Sequence, residues 1–140
     1  MLEPHVMSDQ DIEQRIQTSG KSAPHVTPAD IEAVIAHEYY CLGAGAFSNN
    51  MLDAFSAEQL MRLTLCVLVL KNGFVVVGTC ACASLAQFDA EIGRKLARQN
   101  AINQLWPILG YQLKEGLYQA QRHEKATHPK EYNYPNQRGD

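Results

Sequence analysis

Two β-rich runs, Leu63–Leu70 and residues 74–80, flank Lys71-Asn72-Gly73 and largely fix what the middle of this chain can become. Branched and aromatic residues on both sides of Asn-Gly predict an antiparallel hairpin. A two-residue turn sets Lys71 opposite Phe74, Leu70 opposite Val75 and Leu65 opposite Cys80. A three-residue turn with a glycine bulge moves the register by one. In neither register does Cys66 face another cysteine, so no cross-strand disulfide is expected. With the two-residue turn, one face carries Val67, Val69, Phe74 and Val76, and the other Leu68, Leu70, Val75 and Val77. A two-stranded ribbon in water cannot keep both faces dry. Helices must cover one of them, and a second copy of the chain is a candidate for the other, so a homo-oligomer is expected.

The flanking sequence reads as helix. Ser8 or Asp9 can cap a short helix that ends near Ser19, with Gly20 as its stop. Thr27-Pro28-Ala29-Asp30 forms a capping box with proline at the first helical position. Ile31, Val34, Ile35 and Tyr39 continue one apolar face, which predicts a helix over 27–40. Ser56-Ala57-Glu58-Gln59 suggests one helical turn before the hairpin. Ser84-Leu85-Ala86-Gln87 reads as the cap of a long C-terminal helix. Phe88, Ile92, Leu96, Ala101, Leu105, Leu109, Leu113 and Leu117 would form its buried stripe. Pro107 lacks an N–H, so a bend or break is expected near Trp106.

These elements predict one α+β domain: N-terminal helices, an antiparallel β-hairpin, and a long Pro-bent C-terminal helix packed on it. Residues 1–24 form an arm with a short helix and 25–120 the core. Within the core, 42–56 is read as a flexible loop insertion, and 121–140 as a polar, disordered tail. The length, 140 residues, suits a single domain with its own core. A net charge of -3 argues against a bulk grip on nucleic acid. No apolar run is long enough for a membrane helix. The first seven residues lack an export signal, so the cytoplasm is the expected compartment.

Candidate chemistry is sparse. The four cysteines, Cys41, Cys66, Cys80 and Cys82, do not have the spacing of common zinc sites, and reduced thiols are the simpler reading. Gly43-Ala44-Gly45-Ala46 lacks the strand, the further glycines and the lysine of a phosphate loop. No paired carboxylates and no nucleophile with a base stand at motif spacing, so neither enzymatic activity nor a metal or cofactor is expected. Arg94, Lys95 and Arg98 share a helical surface that an anion could meet, although Glu91 can pair with Lys95 four residues on. Tyr39, Tyr40, Trp106 and Tyr111 offer rings for stacking a base, although such spacing also suits a core.

Residues 63–74 and 88–98, the run Trp106-Pro107-Ile108-Leu109-Gly110-Tyr111-Gln112-Leu113, and the openings Asp11-Ile12-Glu13 and Thr27-Pro28-Ala29-Asp30-Ile31 carry a resemblance. They look like the family of small phage and prophage proteins named after phage N4 gene 49 and phage Sf6 gene 66. Two places depart from that pattern. Gly78-Thr79-Cys80-Ala81-Cys82-Ala83-Ser84 stands where the family has Gly-Glu-Ser-Ala-Cys-Ala-Ser, and Leu85-Ala86-Gln87 stands where it has Pro-Glu-Asn. The resemblance implies a phage accessory protein. By analogy with other such proteins, the expected role is to counteract host defence by sequestering a small anionic ligand, such as a cyclic nucleotide signal, with Arg94, Lys95, Arg98, Tyr39, Tyr40, Trp106 and Tyr111 as candidate contacts. The alternatives are an inhibitor that binds a host defence protein directly, or a DNA-associated accessory protein.

Overall fold

The computed structural model describes residues 6–20, 23–48, 51–84, 86 and 89–127. Helices α1 (Asp9–Thr18) and α2 (Pro28–Val34) open the fold, followed by strand β1 (Ile35–Leu42), a 3₁₀ turn (Gly43–Ala46) and α3 (Ala54–Leu60). Strands β2 (Leu63–Leu70) and β3 (Val75–Ala81) follow, and α4 (Ala90–Thr127) closes the chain. The class is α+β, as expected, with α4 lying across a three-stranded antiparallel sheet of order β1-β2-β3.

Local chemistry accounts for the helix starts. Ser8 caps α1: its hydroxyl accepts from the Asp11 N–H, and the Asp11 carboxylate accepts from the Ser8 N–H. Thr27 and Asp30 repeat the same reciprocal box on α2, with Pro28 in the first turn. Gly20 follows α1 with φ 69°, a conformation that favours glycine. Asp53 caps α3 through the Ser56 N–H at 2.7 Å, a bond that holds its carboxyl below the usual range.

Beyond Val34 the structure departs from the expected helix. Residues 35–40 belong to β1, which pairs along the free side of β2, with Tyr39 opposite Val67 and Tyr40 opposite Cys66. A bulge between Ile35 and His37 turns Ile35 toward the core and His37 away from it. Cross-strand pairing prevails over a helical spacing that a well-capped start had suggested. The third strand is thus the element that the hairpin reading lacked.

The hairpin itself takes the three-residue alternative. Gly73 donates to the Leu70 carbonyl at φ 87°, Leu70 donates to Phe74, and Val69 faces Val75. Cys66 then lies opposite Gly78, and all four cysteines are free thiols. Thr64, Cys66, Leu68, Leu70, Val76, Gly78 and Cys80 form one face of the β2–β3 ribbon, and Leu63, Leu65, Val67, Val69, Val75, Val77 and Thr79 the other.

Among the described residues, only the first of these faces is roofed. α4 lays Gly93, Ala97, Ala101, Ile102, Leu105 and Leu109 on it, and Ile31 of α2 joins the same core. Small residues let the helix come close. A Cβ added at Gly78 would run into the Ala97 carbonyl oxygen and the Ala101 nitrogen, and would stand 2.8 Å from the Ala101 methyl. Ile92 and Leu96, expected in the buried stripe, are instead half-exposed one position over.

α4 also differs at both ends from expectation. It starts at Ala90, where the Asp89 carboxylate accepts from the Glu91 and Ile92 N–H groups. Leu85, Gln87 and Phe88 of the expected start lie outside the described residues. The helix is not broken at Pro107, which is exposed, and it runs through Thr127. Residues 121–127, expected in a disordered tail, are therefore helical, while 128–140 lie outside the described residues. The 42–56 insertion likewise holds a 3₁₀ turn and the start of α3 rather than loop alone. Buried Gly43 has no room for a Cβ beside Leu63.

The edges of the sheet differ. Because Phe74 bonds inward to Leu70, the Val77 and Thr79 carbonyls point outward from β3. Gln104 Nε2 donates to Val77 at 2.5 Å and Asn100 Nδ2 donates to Thr79 at 2.7 Å. Side chains of α4 thus occupy an edge that would otherwise be open to another strand.

Candidate functional site

A cleft of about 600 Å³ lies between the start of α1, the start of α2 and the middle of α4. Its size falls in the range of small-molecule sites. Gln99, Asn103 and Trp106, spaced four and three apart, form one wall on α4, with Arg98 at its rim. Met7, Ser8 and Asp9 form the opposite wall, and Ile31 lies against the floor with Ile102. Asp9 ties the walls together: its carboxylate accepts from Gln99 Nε2 and from Trp106 Nε1, both at 3.2 Å. Gln99 also donates to Asn103 at 2.9 Å.

Of the seven candidate contacts, the structure brings two together in this cleft, Arg98 and Trp106. Arg98 is already engaged. Its Nη2 donates to Glu32 at 2.8 Å and its Nε to Glu38 at 2.7 Å, joining α4 to α2 and β1. These two carboxylates hold the guanidinium above its ordinary pKa range. An incoming anion would have to compete with both of them for its charge. Lys95 pairs with Glu91 at 3.2 Å on the water-facing side, as expected, and its neighbour Arg94 is exposed.

The tyrosines go elsewhere. Tyr39 stands on the unroofed face of the sheet, 58% exposed. Tyr40 points to the roofed side beside Cys66, where burial pushes its phenol up to about 12, and burial also raises the Cys66 thiol. Tyr111 lies on α4, 73% exposed and outside the cleft. Sequence reasoning missed Asp9, Glu32, Gln99 and Asn103. The helical spacing of Gln99, Asn103 and Trp106 was a usable signal, whereas the approach of Asp9 and Glu32 depends on tertiary folding.

A smaller pocket, of about 210 Å³, lies beside the start of α4 among Arg62, Thr64, Cys80, Cys82 and Asp89. Arg62 holds Glu58 and the Ala83 carbonyl with its terminal nitrogens. Its Nε and the Thr64 hydroxyl are buried without a hydrogen-bond partner among the described residues. Among those residues there is also no cluster of three or more metal-ligating side chains.

The family described as Phage protein (N4 Gp49/phage Sf6 gene 66) family matches residues 26–117. The chain belongs to that family. The match takes in α2, the whole sheet and α4 as far as Leu117, which places the chain among phage accessory proteins. Residues 8–25, including α1 and its wall of the cleft, lie outside the matched span. No curated protein and no solved structure matches the chain. Among the described residues, no helix is long and apolar enough to cross a membrane.

Proposed function

We propose that this phage accessory protein acts by binding rather than catalysis, and counteracts host defence by sequestering a small nucleotide-like ligand in the cleft between α1, α2 and α4. The observation that carries the reading is the convergence of Trp106, Gln99 and Asn103 with Arg98 around one cavity of suitable size. The indole gives a base an apolar surface. Gln99, whose two N–H groups go to Asp9 and Asn103, can accept from its edge through Oε1, Asn103 can donate to it through Nδ2, and Asp9 and Glu32 accept from amino or hydroxyl groups. A phosphate would share Arg98 with Glu32 and Glu38, whose charges already offset that of the guanidinium, so the polar edge of the ligand rather than its charge supplies most of the selectivity. The DNA-associated alternative is weakened by Glu32, Glu38 and Glu91, which pair with Arg98 and Lys95 of the basic stripe.

Trp106 is the only tryptophan in the chain, so its fluorescence reports on this cleft. Titrating the full-length protein with cyclic di- and trinucleotides and cyclic ADP-ribose isomers should give a saturable change with one of them. The Gln99→Ala/Asn103→Ala double variant should weaken that binding at least tenfold, about 1.4 kcal/mol, without lowering the melting temperature. A Trp106 signal that stays flat across all of these ligands rejects the reading.

One observation favours the protein-binding alternative. Tyr39, Phe74, Val75 and Val77 are each about half-exposed around the unroofed face of the sheet. A patch of this kind suits a macromolecular partner better than a small ligand.

A further inference from the structure

The unroofed face is an ordered array. His37, Val69 and Val75 form one row across the three strands, Tyr39, Val67 and Val77 the next, and Cys41, Leu65 and Thr79 the third. Leu63 and Ala81 extend it at one end, where the 3₁₀ turn packs against Leu63. No residue of the array is an Asp, Glu, Lys or Arg. Three strands about 4.8 Å apart, each contributing alternate side chains over about 20 Å, match the inner face of a β-sandwich.

We propose that this face binds a second copy of the same chain, sheet against sheet, about a two-fold axis that passes close to Val67. Two observations select this occupant. First, a two-fold contact sets each patch against itself, and an uncharged patch does so without opposing like charges. A strongly charged partner would find nothing here to pair with.

Second, the area is sufficient. With Tyr39, Val75 and Val77 exposed by 58%, 49% and 44%, the array offers on the order of 600 Å² per copy, so that a pair would bury roughly 1,200 Å², near the lower bound for a specific interface.

The proposal does not depend on the nucleotide reading, since no residue of the array lines the cleft.

Sedimentation velocity on the full-length protein across about 1–100 μM tests it. A concentration-dependent dimer is expected. Val67→Glu, at the centre of the array, should shift the protein to monomer, with a dissociation constant at least 100-fold higher. Val77→Lys, on an outer strand where the monomer leaves the side chain in water, should do the same if Val67→Glu fails to fold. Cys41, exposed on the same face, should lose reactivity toward a maleimide as the wild-type concentration rises. A wild type that stays monomeric at 100 μM overturns the proposal. So does a dimer that survives in a folded variant, which would place the contact elsewhere, for example on the outer edge of β1.

Discussion

The two faces of the sheet are made of alternate residues from the same strands, yet α4 seats on one and leaves the other in water. Apolar character does not choose between them, since leucine and valine crowd both. Size does. The roofed face has Gly78 where α4 presents Ala97 and Ala101, and backbone meets backbone there. The other face offers Val67, Val69, Val75 and Val77 in the alternating rows, with no comparable gap for a helix. Where two surfaces are equally greasy, the smallest side chains decide which one a helix can approach.

A paired substitution would break this comparison most sharply. Gly78→Val should destabilise the fold by about 3 kcal/mol or more, because the obstructing atoms are main chain and cannot swing aside. Its neighbour Val77→Ala, on the unroofed face, should cost less than about 1 kcal/mol in the monomer. Urea denaturation at a concentration below any self-association checks both. Similar costs at the two positions would remove the argument from size.

A smaller effect is expected at the β3 edge. Replacing Asn100 and Gln104 with alanine removes two bonds worth about 0.5–1.5 kcal/mol each and uncovers the Val77 and Thr79 carbonyls. Denaturation should show the loss, and light scattering on heating should show earlier aggregation than in wild type. An unchanged aggregation onset would mean that these amides do not guard the edge.

The smallest effect lies at the rim of the roofed side, where α1 is held by polar contacts. His25 bonds to the Ala23 carbonyl and to Glu13, each at 3.0 Å, and these interactions raise its pKa. A raised folded-state value means that this contribution is complete below the ordinary histidine range and is lost as pH rises through the shifted value. Hydrogen exchange in α1, corrected for intrinsic rates, should therefore show less protection at pH 8 than at pH 6. Glu13→Gln should flatten that dependence, and an equally steep profile in the variant would clear the pair of the role.

The sequence disclosed its local signals well and its distant ones poorly. Both N-terminal caps, the Gly20 stop and the Asn-Gly hairpin depend on residues within a few positions of each other, and all are present. β1 was hidden because Ile31, Val34, Ile35 and Tyr39 keep a helical spacing through the point where the chain turns extended. Its partner β2 begins more than twenty residues later, so nothing local announced the pairing. Ile92 and Leu96 were misleading for a related reason. Large apolar residues suggest burial, but close packing on Gly78 required the smaller Gly93, Ala97 and Ala101 in that seat. At the cleft, the basic stripe was legible, but the carboxylates of Glu32 and Glu38 that claim Arg98 come from 66 and 60 residues away.

Every residue from 118 to 127 on α4 is exposed, although the helix continues without interruption. Ten residues of rod thus stand on their own hydrogen bonds, with only slight help from pairs such as Arg122 over the Tyr118 ring. A free helical segment of that length is marginal in water. Warming will therefore strip α4 from its tip inward, turn by turn, while the stretch clamped to the sheet holds until the whole domain gives way.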